Sequence, residues 1–495
     1  MHIRLTLCFF FLSLCCRGQI SRIVENVEYK AEATGTFSKG DMAPFWFSSN
    51  RYGLATTNPN SGYLRVGITR DIRNDSLRNW KVGYGADLAV PMGMDKHFVL
   101  QQLYADIQWK NLRLAIGQKE RLLELKNSLL SSGGLGTGIN ARPLPQIRLE
   151  VPEFLVIPGT RHWLAVKGYI AYGAYTDNKW QHKHNRNTKN KYTANSLYHT
   201  KAGFLRIGNK EKFPISLTGG LEMSCQFAGY AWNMLEGGRI YDEDLPSGWK
   251  AFWHAFIPGG SDSNDGDFPN KEGNQVGSWH MSLDYSGEKW NARAYAEHFF
   301  EDESQMFLQY NWKDMLVGIE VEFPKNKWIH TLLYENLGTM HQSGPVYHDA
   351  TETLPEQISG KDEYYNNHVY GAWQHAGFTM GTPLLLSPIY NKDGSITIRH
   401  NRIRAHHIGA YGEPTENLSW RVLYTRHYSL GTYNYPLLDP QKNNYLLTEV
   451  SYHIPRIKGL SCTLAYGHNS KGIMPRSNGA MLTVRYRGWI NKKNN

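Results

Sequence analysis

Apolar and polar side chains alternate at the end of the chain. In "AMLTVRYRGWI" (480–490), Ala480, Leu482, Val484, Tyr486 and Ile490 share one parity, and Thr483, Arg485 and Arg487 share the other. Successive strand side chains point to opposite faces, so this segment predicts a strand with one apolar and one polar side. The same period-2 pattern, rich in Tyr, Val, Leu, Ile and Thr, recurs along the chain. It predicts eighteen strands, at 27–37, 62–72, 80–91, 98–110, 112–119, 144–157, 163–176, 196–208, 215–228, 276–286, 290–300, 315–323, 328–338, 396–412, 418–428, 444–454, 460–468 and 480–490.

The connections discriminate between a soluble sheet and a membrane barrel. Short polar turns such as "RNDSLRN", "KN", "PGTRH", "GNKEKFP", "SGEK", "PKNK", "EPTEN" and "PRIKG" occur at every second connection. The others are mostly long: 38–61, 120–143, 177–195, 229–275 and 339–395. This alternation places short turns at one end and long loops at the other, the layout of an outer-membrane barrel. A sandwich or propeller has no reason to keep it. Tryptophans agree: Trp80, Trp163, Trp290, Trp328 and Trp420 follow short turns, and Trp109 and Trp489 close strands on the same side. Amphipathic rings favour the bilayer interface, so these residues read as one girdle.

In a barrel the apolar parity faces lipid, because an outward Arg near the midplane costs roughly 2–4 kcal/mol. Arg485 and Arg487 are therefore expected in the lumen, as are Arg293 and Glu297 of "WNARAYAEHF". In "HNRIRAHHIGAY" the expected inward set is His400, Arg402, Arg404 and His406, with Ile403, Ala405 and Tyr411 outward. The fold expectation is all-β: a transmembrane antiparallel barrel of about eighteen strands, its lumen plugged by extracellular loops.

Residues 1–18 read as a signal peptide, with a short basic start, an apolar run from Leu5 to Cys16 and small residues at Cys16 and Gly18. Residues 19–495 then form one barrel domain. Cleavage removes three of the five cysteines, leaving Cys225 and Cys462 as wall residues rather than a disulfide framework. The expected location is the outer membrane of a Gram-negative cell. The formal charge of +10 falls to about +8 once the leader's Arg4 and Arg17 are removed, which still points to polyanionic partners: lipopolysaccharide phosphates in the outer-membrane lipid, or acidic polysaccharide. No nucleic-acid module is present, and the expected state is a monomer.

Local motifs for catalysis are absent: there is no G-x-S-x-G and no H-E-x-x-H. "GGLGTG" (133–138) precedes a strand, so it reads as a loop rather than a phosphate cradle. "HKH" (182–184) and "HH" (406–407) read as solvated or hydrogen-bonded histidines. "DSNDGD" (262–267) has a misplaced glycine for a calcium loop and reads as an acidic turn. The expectation is no metal, no cofactor and no enzymatic activity. Residues 245–257 and 301–314 are candidates for short loop helices. The long loops carry aromatics beside polar groups: Trp232, Trp249, Trp253, Tyr347, Tyr364, Tyr365 and Trp373, with Arg186, Lys189 and Lys191 adding charge. Flat rings suit sugar faces and cations suit uronates, so these are the candidate polysaccharide-binding residues.

Several long stretches resemble the capsule assembly Wzi family of outer-membrane proteins. They are "FWFSSNRYG", "QQLYADIQW", "ELKNSLLSSGGLGTGINARPLPQIRLEVPEF", "TKAGFLRIGNKEKFPISLTGGLEM", "EGNQVGSWHMSL", "EHFFEDESQMFLQYNWKD", "QSGPVYHD" and "LLLSPIYN", between about residues 45 and 410. The resemblance implies an eighteen-stranded barrel closed by loops, with a lectin-like role in holding capsular polysaccharide or exopolysaccharide on the cell. Some relatives carry a periplasmic helical bundle near the N-terminus, for which this chain leaves no room before its first strand. The end "NKKNN" also lacks the usual terminal aromatic. The competing expectation is a porin-like channel for small solutes or oligosaccharides, motivated by lumen charges of both signs.

Overall fold

The structure, a computed structural model, describes residues 24–492 except 76–77, 95, 186–187, 237, 258–272, 302–305, 307–311, 347, 349–350, 356–359 and 361. The leader at 1–18 and the acidic turn at 262–267 lie outside the described residues.

Eighteen strands form one closed antiparallel barrel. They are β1 (Val27–Lys39), β2 (Asn60–Arg70), β3 (Trp80–Met92), β4 (Val99–Trp109), β5 (Leu112–Gln118) and β6 (Pro145–Val156). Next come β7 (Leu164–Ala174), β8 (Leu197–Ile207), β9 (Ile215–Phe227), β10 (Asn274–Ser286), β11 (Asn291–Glu301) and β12 (Met315–Glu322). The last six are β13 (Thr331–Gly338), β14 (Ile403–Thr415), β15 (Leu418–Gly431), β16 (Pro436–His453), β17 (Leu460–Asn469) and β18 (Ser477–Ile490). Each pairs with the next, and β1 closes on β18 from Val27↔Ile490 to Lys39↔Asn478. Closure leaves no unpaired sheet edge, which is what a sheet in hydrocarbon requires. No helix among the described residues is long and apolar enough to cross a membrane.

The outer wall is apolar. Leu64, Val66, Ile107, Leu205, Leu217, Leu283, Ile319, Ile408, Leu464 and Leu482 all sit exposed on it. At the short-turn end Trp80 pairs with Trp109, with ring centroids 6.3 Å apart, and Trp290, Trp328 and Trp489 are exposed nearby in height.

The core lies inside the barrel rather than between layers. Loops from the long-loop end fold into the lumen and bury Phe45, Trp46, Leu130, Leu135, Trp373 and Leu384 against inward wall residues such as Tyr295, Leu333, Leu423 and Tyr445. One wall position is shaped for this: a Cβ on Gly409 of β14 would lie 2.9 Å from Leu130 Cβ, so only glycine lets that loop touch the wall.

Two strand boundaries differ from expectation in a way that matters. The segment expected as a strand over 396–412 pairs only from Ile403; Ile396 and Ile398 are buried in the plug. β16 begins at Pro436, before the expected 444, extending the β15–β16 hairpin beyond the rim. The expected helix at 245–257 appears as Trp249–Phe256.

Candidate functional site

Carboxylates on the wall hold the plug. Glu335 of β13 accepts from the Ser132 backbone N–H (2.7 Å), the Ser132 and Ser131 hydroxyls (2.6 Å each) and the Tyr295 hydroxyl (2.6 Å). Glu297 of β11 accepts from the Leu135 and Gly136 N–H groups (2.7 and 3.2 Å) and is ion-paired with Lys126, both side chains buried. Glu222 of β9 accepts from the Thr137 hydroxyl. The glycine-rich run 133–138 is thus a backbone latch: small residues present N–H groups to fixed anions, which gives strong charge-assisted bonds. A buried charge without such partners would cost several kcal/mol.

The remaining lumen charges are placed as follows. Arg293 faces inward and pairs with Asp284 (2.7 Å). Arg485 pairs with Glu32 across the closing seam, and Arg487 lies 3.7 Å from Glu28. Arg402 precedes β14; its Nε donates to the Met340 carbonyl (3.2 Å) and its guanidinium lies 3.9 Å from the Tyr433 ring centre. Arg404 is on the opposite side from that expected. Ile403, Ala405 and His407 are the buried, inward residues, and Arg404, His406 and Ile408 lie on the outward parity. The parity argument assumed a wet lumen; where an apolar plug fills it, the apolar parity faces in.

The loop aromatics divide into three groups. Tyr364, Tyr365 and Trp373 are wholly buried: Tyr364 OH donates to the Phe299 carbonyl (3.3 Å), Tyr365 OH to the Leu135 carbonyl, and Trp373 Nε1 to the Gly136 carbonyl (2.8 Å). They build the plug and are not available to a surface ligand. Trp249 and Trp253 lie on the helix Trp249–Phe256, which packs Ala251, Phe252 and Ala255 over Tyr172, Cys225 and Phe227. Tyr172 and Cys225 have outward parity, so this helix covers the outside of the wall near its long-loop rim, with Trp249 85% and Trp253 52% exposed. Trp232 belongs to a small sheet of Tyr192–Ala194, Tyr230–Glu236 and Arg239–Asp244. Its ring stacks on Tyr192 (5.9 Å, 7°) and lies 4.5 Å from Tyr230. Beside this tier Asn233 Nδ2 donates to the Asn190 carbonyl (3.1 Å), and Lys189 is exposed.

Lys191 is committed to the plug, its ammonium donating to the Asn367 (2.8 Å) and His368 (2.5 Å) carbonyls, and burial pulls its pKa down to about 8. Tyr347 and Arg186 lie outside the described residues. The signal that the sequence reading missed is the Tyr192–Tyr230–Trp232 stack, three aromatics brought together by two loops.

The plug leaves space on the turn side of the β2–β7 wall. A cavity of about 570 Å³ runs along the wall past Arg73, Arg113, Glu150 and Lys167. It shares Lys119, Arg121, Arg148 and Tyr169 with a smaller space of about 100 Å³ reaching Arg142 and Met380 in the plug. Among the described residues no group of three or more His, Cys, Asp or Glu is arranged to hold a metal. His406 and His407 point to opposite faces of β14, and His184 stacks on Trp180 (4.6 Å).

No protein-family model and no curated protein sequence matches the chain. Among solved structures it is similar in fold to Wzi of Escherichia coli, an outer-membrane protein involved in group 1 capsule assembly and a carbohydrate-binding β-barrel. The two are 13% identical with a TM-score of 0.53, over 94% of this chain and 86% of that one. Weaker likeness extends to Acinetobacter baumannii OccAB4 (10% identity, TM-score 0.43) and Pseudomonas aeruginosa OccK5 (10%, 0.44), each over 94% of this chain and 98% of the other. At these identities the likeness is one of fold: an outer-membrane β-barrel.

Proposed function

We propose that this barrel is a non-enzymatic, lectin-like protein of the Gram-negative outer membrane that anchors acidic capsular polysaccharide or exopolysaccharide at the cell surface. The observation that carries the reading is the plug. Its aromatic residues close the lumen from the loop side and leave a Tyr192–Tyr230–Trp232 stack in which Trp232 is exposed and the tyrosines are half-buried, with Asn233 next to it and the exposed Lys189 in the same loop as Tyr192. An exposed Trp232 ring with an amide next to it and an exposed lysine in the neighbouring loop offers a sugar an apolar surface, hydrogen bonds and a counter-charge for uronates. The fold shared with a carbohydrate-binding barrel supports the same reading. Deleting the gene and measuring cell-bound against released polysaccharide tests it. Shedding at unchanged total output is the expected result, and an unchanged bound fraction rejects it.

A second reading, passage of small solutes or oligosaccharides, is favoured by the cavity beside the plug, lined by charges of both signs such as Arg113, Arg121, Lys167, Glu120, Glu124 and Glu150. Steady conductance in a planar bilayer would support transport, and a closed barrel would support anchoring.

A further inference from the structure

We infer that the outer wall of β14–β16 carries a binding site for the phosphorylated head of an outer-leaflet glycolipid, formed by Arg404, Arg426 and Lys442. The inference rests on the outer-membrane placement proposed above and concerns a different face from the sugar platform.

The register places these residues together. Arg404 pairs with Tyr428 and Tyr428 with Lys442; His406 pairs with Arg426 and Arg426 with Asn444. All lie on the parity of Ile408 and Tyr424, which are exposed on the lipid side, and opposite the buried His407, Thr425, His427 and Tyr445. Diagonal neighbours on one sheet face are about 7–8 Å apart, so the three cations ring Tyr428 at the spacing of a phosphate's reach. The Arg426 guanidinium and Lys442 ammonium lie 5.1 and 5.7 Å from the centre of that ring. Neither arginine nor the lysine has a described carboxylate within 4.0 Å. Three adjacent cations without an anion are mutually repulsive, and they call for a counter-charge from outside the chain.

The height on the wall identifies the source of that charge. Three lipid-facing tyrosines one or two rows below aim their hydroxyls toward the loop end. Tyr334 bonds His406 (2.9 Å), Tyr424 donates to Asn444 (3.0 Å) and Tyr466 donates to Asn478 (3.1 Å). Asn336 Nδ2 (3.1 Å from His406) and His468 (2.7 Å from Asn478) complete a polar belt around this part of the wall. Rings below and hydroxyls above mark the boundary between hydrocarbon and headgroup. Arg426 lies in this belt and Arg404 and Lys442 one row above it, at the level of lipid phosphates rather than of surface polysaccharide.

The test is to extract the barrel from the outer membrane in mild detergent and measure lipopolysaccharide retained per barrel by mass spectrometry. The Arg404→Gln/Arg426→Gln/Lys442→Gln variant should retain at least tenfold less than wild type. Matched removal of Lys289, Lys325 and Lys327 at the turn end should change nothing. An Arg404→Lys/Arg426→Lys variant should keep most of the load. Heat-modifiable migration verifies folding of each. Delipidated wild type should reload with native lipopolysaccharide and not with the phosphatase-treated form, so the inference stands or falls even without the variants. Wild-type retention by the triple variant, or equal reloading by both forms, overturns it. Absence of wild type from the outer-membrane fraction would instead reject the membrane placement itself.

Discussion

Ser132, in the loop between β5 and β6, places both its backbone N–H and its hydroxyl on one oxygen of Glu335 from the opposite wall, at 2.7 and 2.6 Å. Two further donors, Ser131 Oγ and Tyr295 OH, saturate the other oxygen. The plug is therefore held by bonds that have no water to compete with them, and each donor left without its acceptor costs about 1–3 kcal/mol. Glu335→Ala should loosen the plug while leaving the barrel closed. The expected outcome is flickering conductance in a planar bilayer against a quiet wild type, with unchanged heat-modifiable migration. A variant as quiet as wild type would show that other contacts suffice.

Acid should have a related effect. His375 in the plug receives the Thr176 N–H on Nε2 (3.3 Å) and donates from Nδ1 to the Arg142 carbonyl (2.8 Å), which fixes the neutral tautomer. Burial holds its pKa below the ordinary value of 6.5. The unfolded loop then takes up a proton first as pH falls, so this stabilisation is complete above about pH 6.5 and is lost on descending through the folded value. Conductance and protease sensitivity of the plug should rise as pH falls below about 6.5. His375→Gln should flatten that rise.

The barrel seam depends on Glu32 and Arg485, direct cross-strand partners of β1 and β18, with Tyr63 OH also donating to Glu32 (2.7 Å). Glu32 is buried but the Arg485 side chain is 38% exposed, so removing Glu32 leaves a partly solvated cation and costs about 1 kcal/mol. Glu32→Ala should lower the unfolding temperature and slow assembly into the heat-modifiable form. The swap Glu32→Arg/Arg485→Glu should recover part of the loss, and equal damage by single and double variants would argue against direct coupling.

Among the loop aromatics, Trp232→Ala should weaken binding of the host's acidic polysaccharide roughly two- to thirteenfold, from the roughly 0.5–1.5 kcal/mol of an aromatic contact. Trp249→Ala should leave that affinity unchanged, because its helix lies on the outside of the wall. Titration of purified protein with the polysaccharide distinguishes the two. Loss of affinity only in the Trp249 variant would move the site.

The strand pattern was legible because a lipid-facing parity is a strong constraint on every strand, and short turns punctuate it. Arg485 and Arg293 could be oriented from parity alone, since their lumen levels are polar. Arg404 could not: at its level the lumen contains Ile396, Ile398 and Trp373, and nothing local in "HNRIRAHH" announces that a distant loop fills the barrel. For the same reason Tyr364, Tyr365 and Trp373 read as surface aromatics although they are core, while the Tyr192–Trp232 stack unites residues far apart in sequence.

The plug also constrains the order in which the molecule can be made. Phe45, in the first loop, stacks on Tyr445 at 4.3 Å, and its N–H donates to Asn469 at 3.0 Å, a separation of 424 residues. Contacts of such long range form late and slowly, because loop closure precedes their reward. The first loop can therefore take its place only when β16 and β17 are present to receive it. Because β1 also pairs with β18, docking of the first loop and closure of the wall both call on the last strands of the chain, so plug and barrel are completed together.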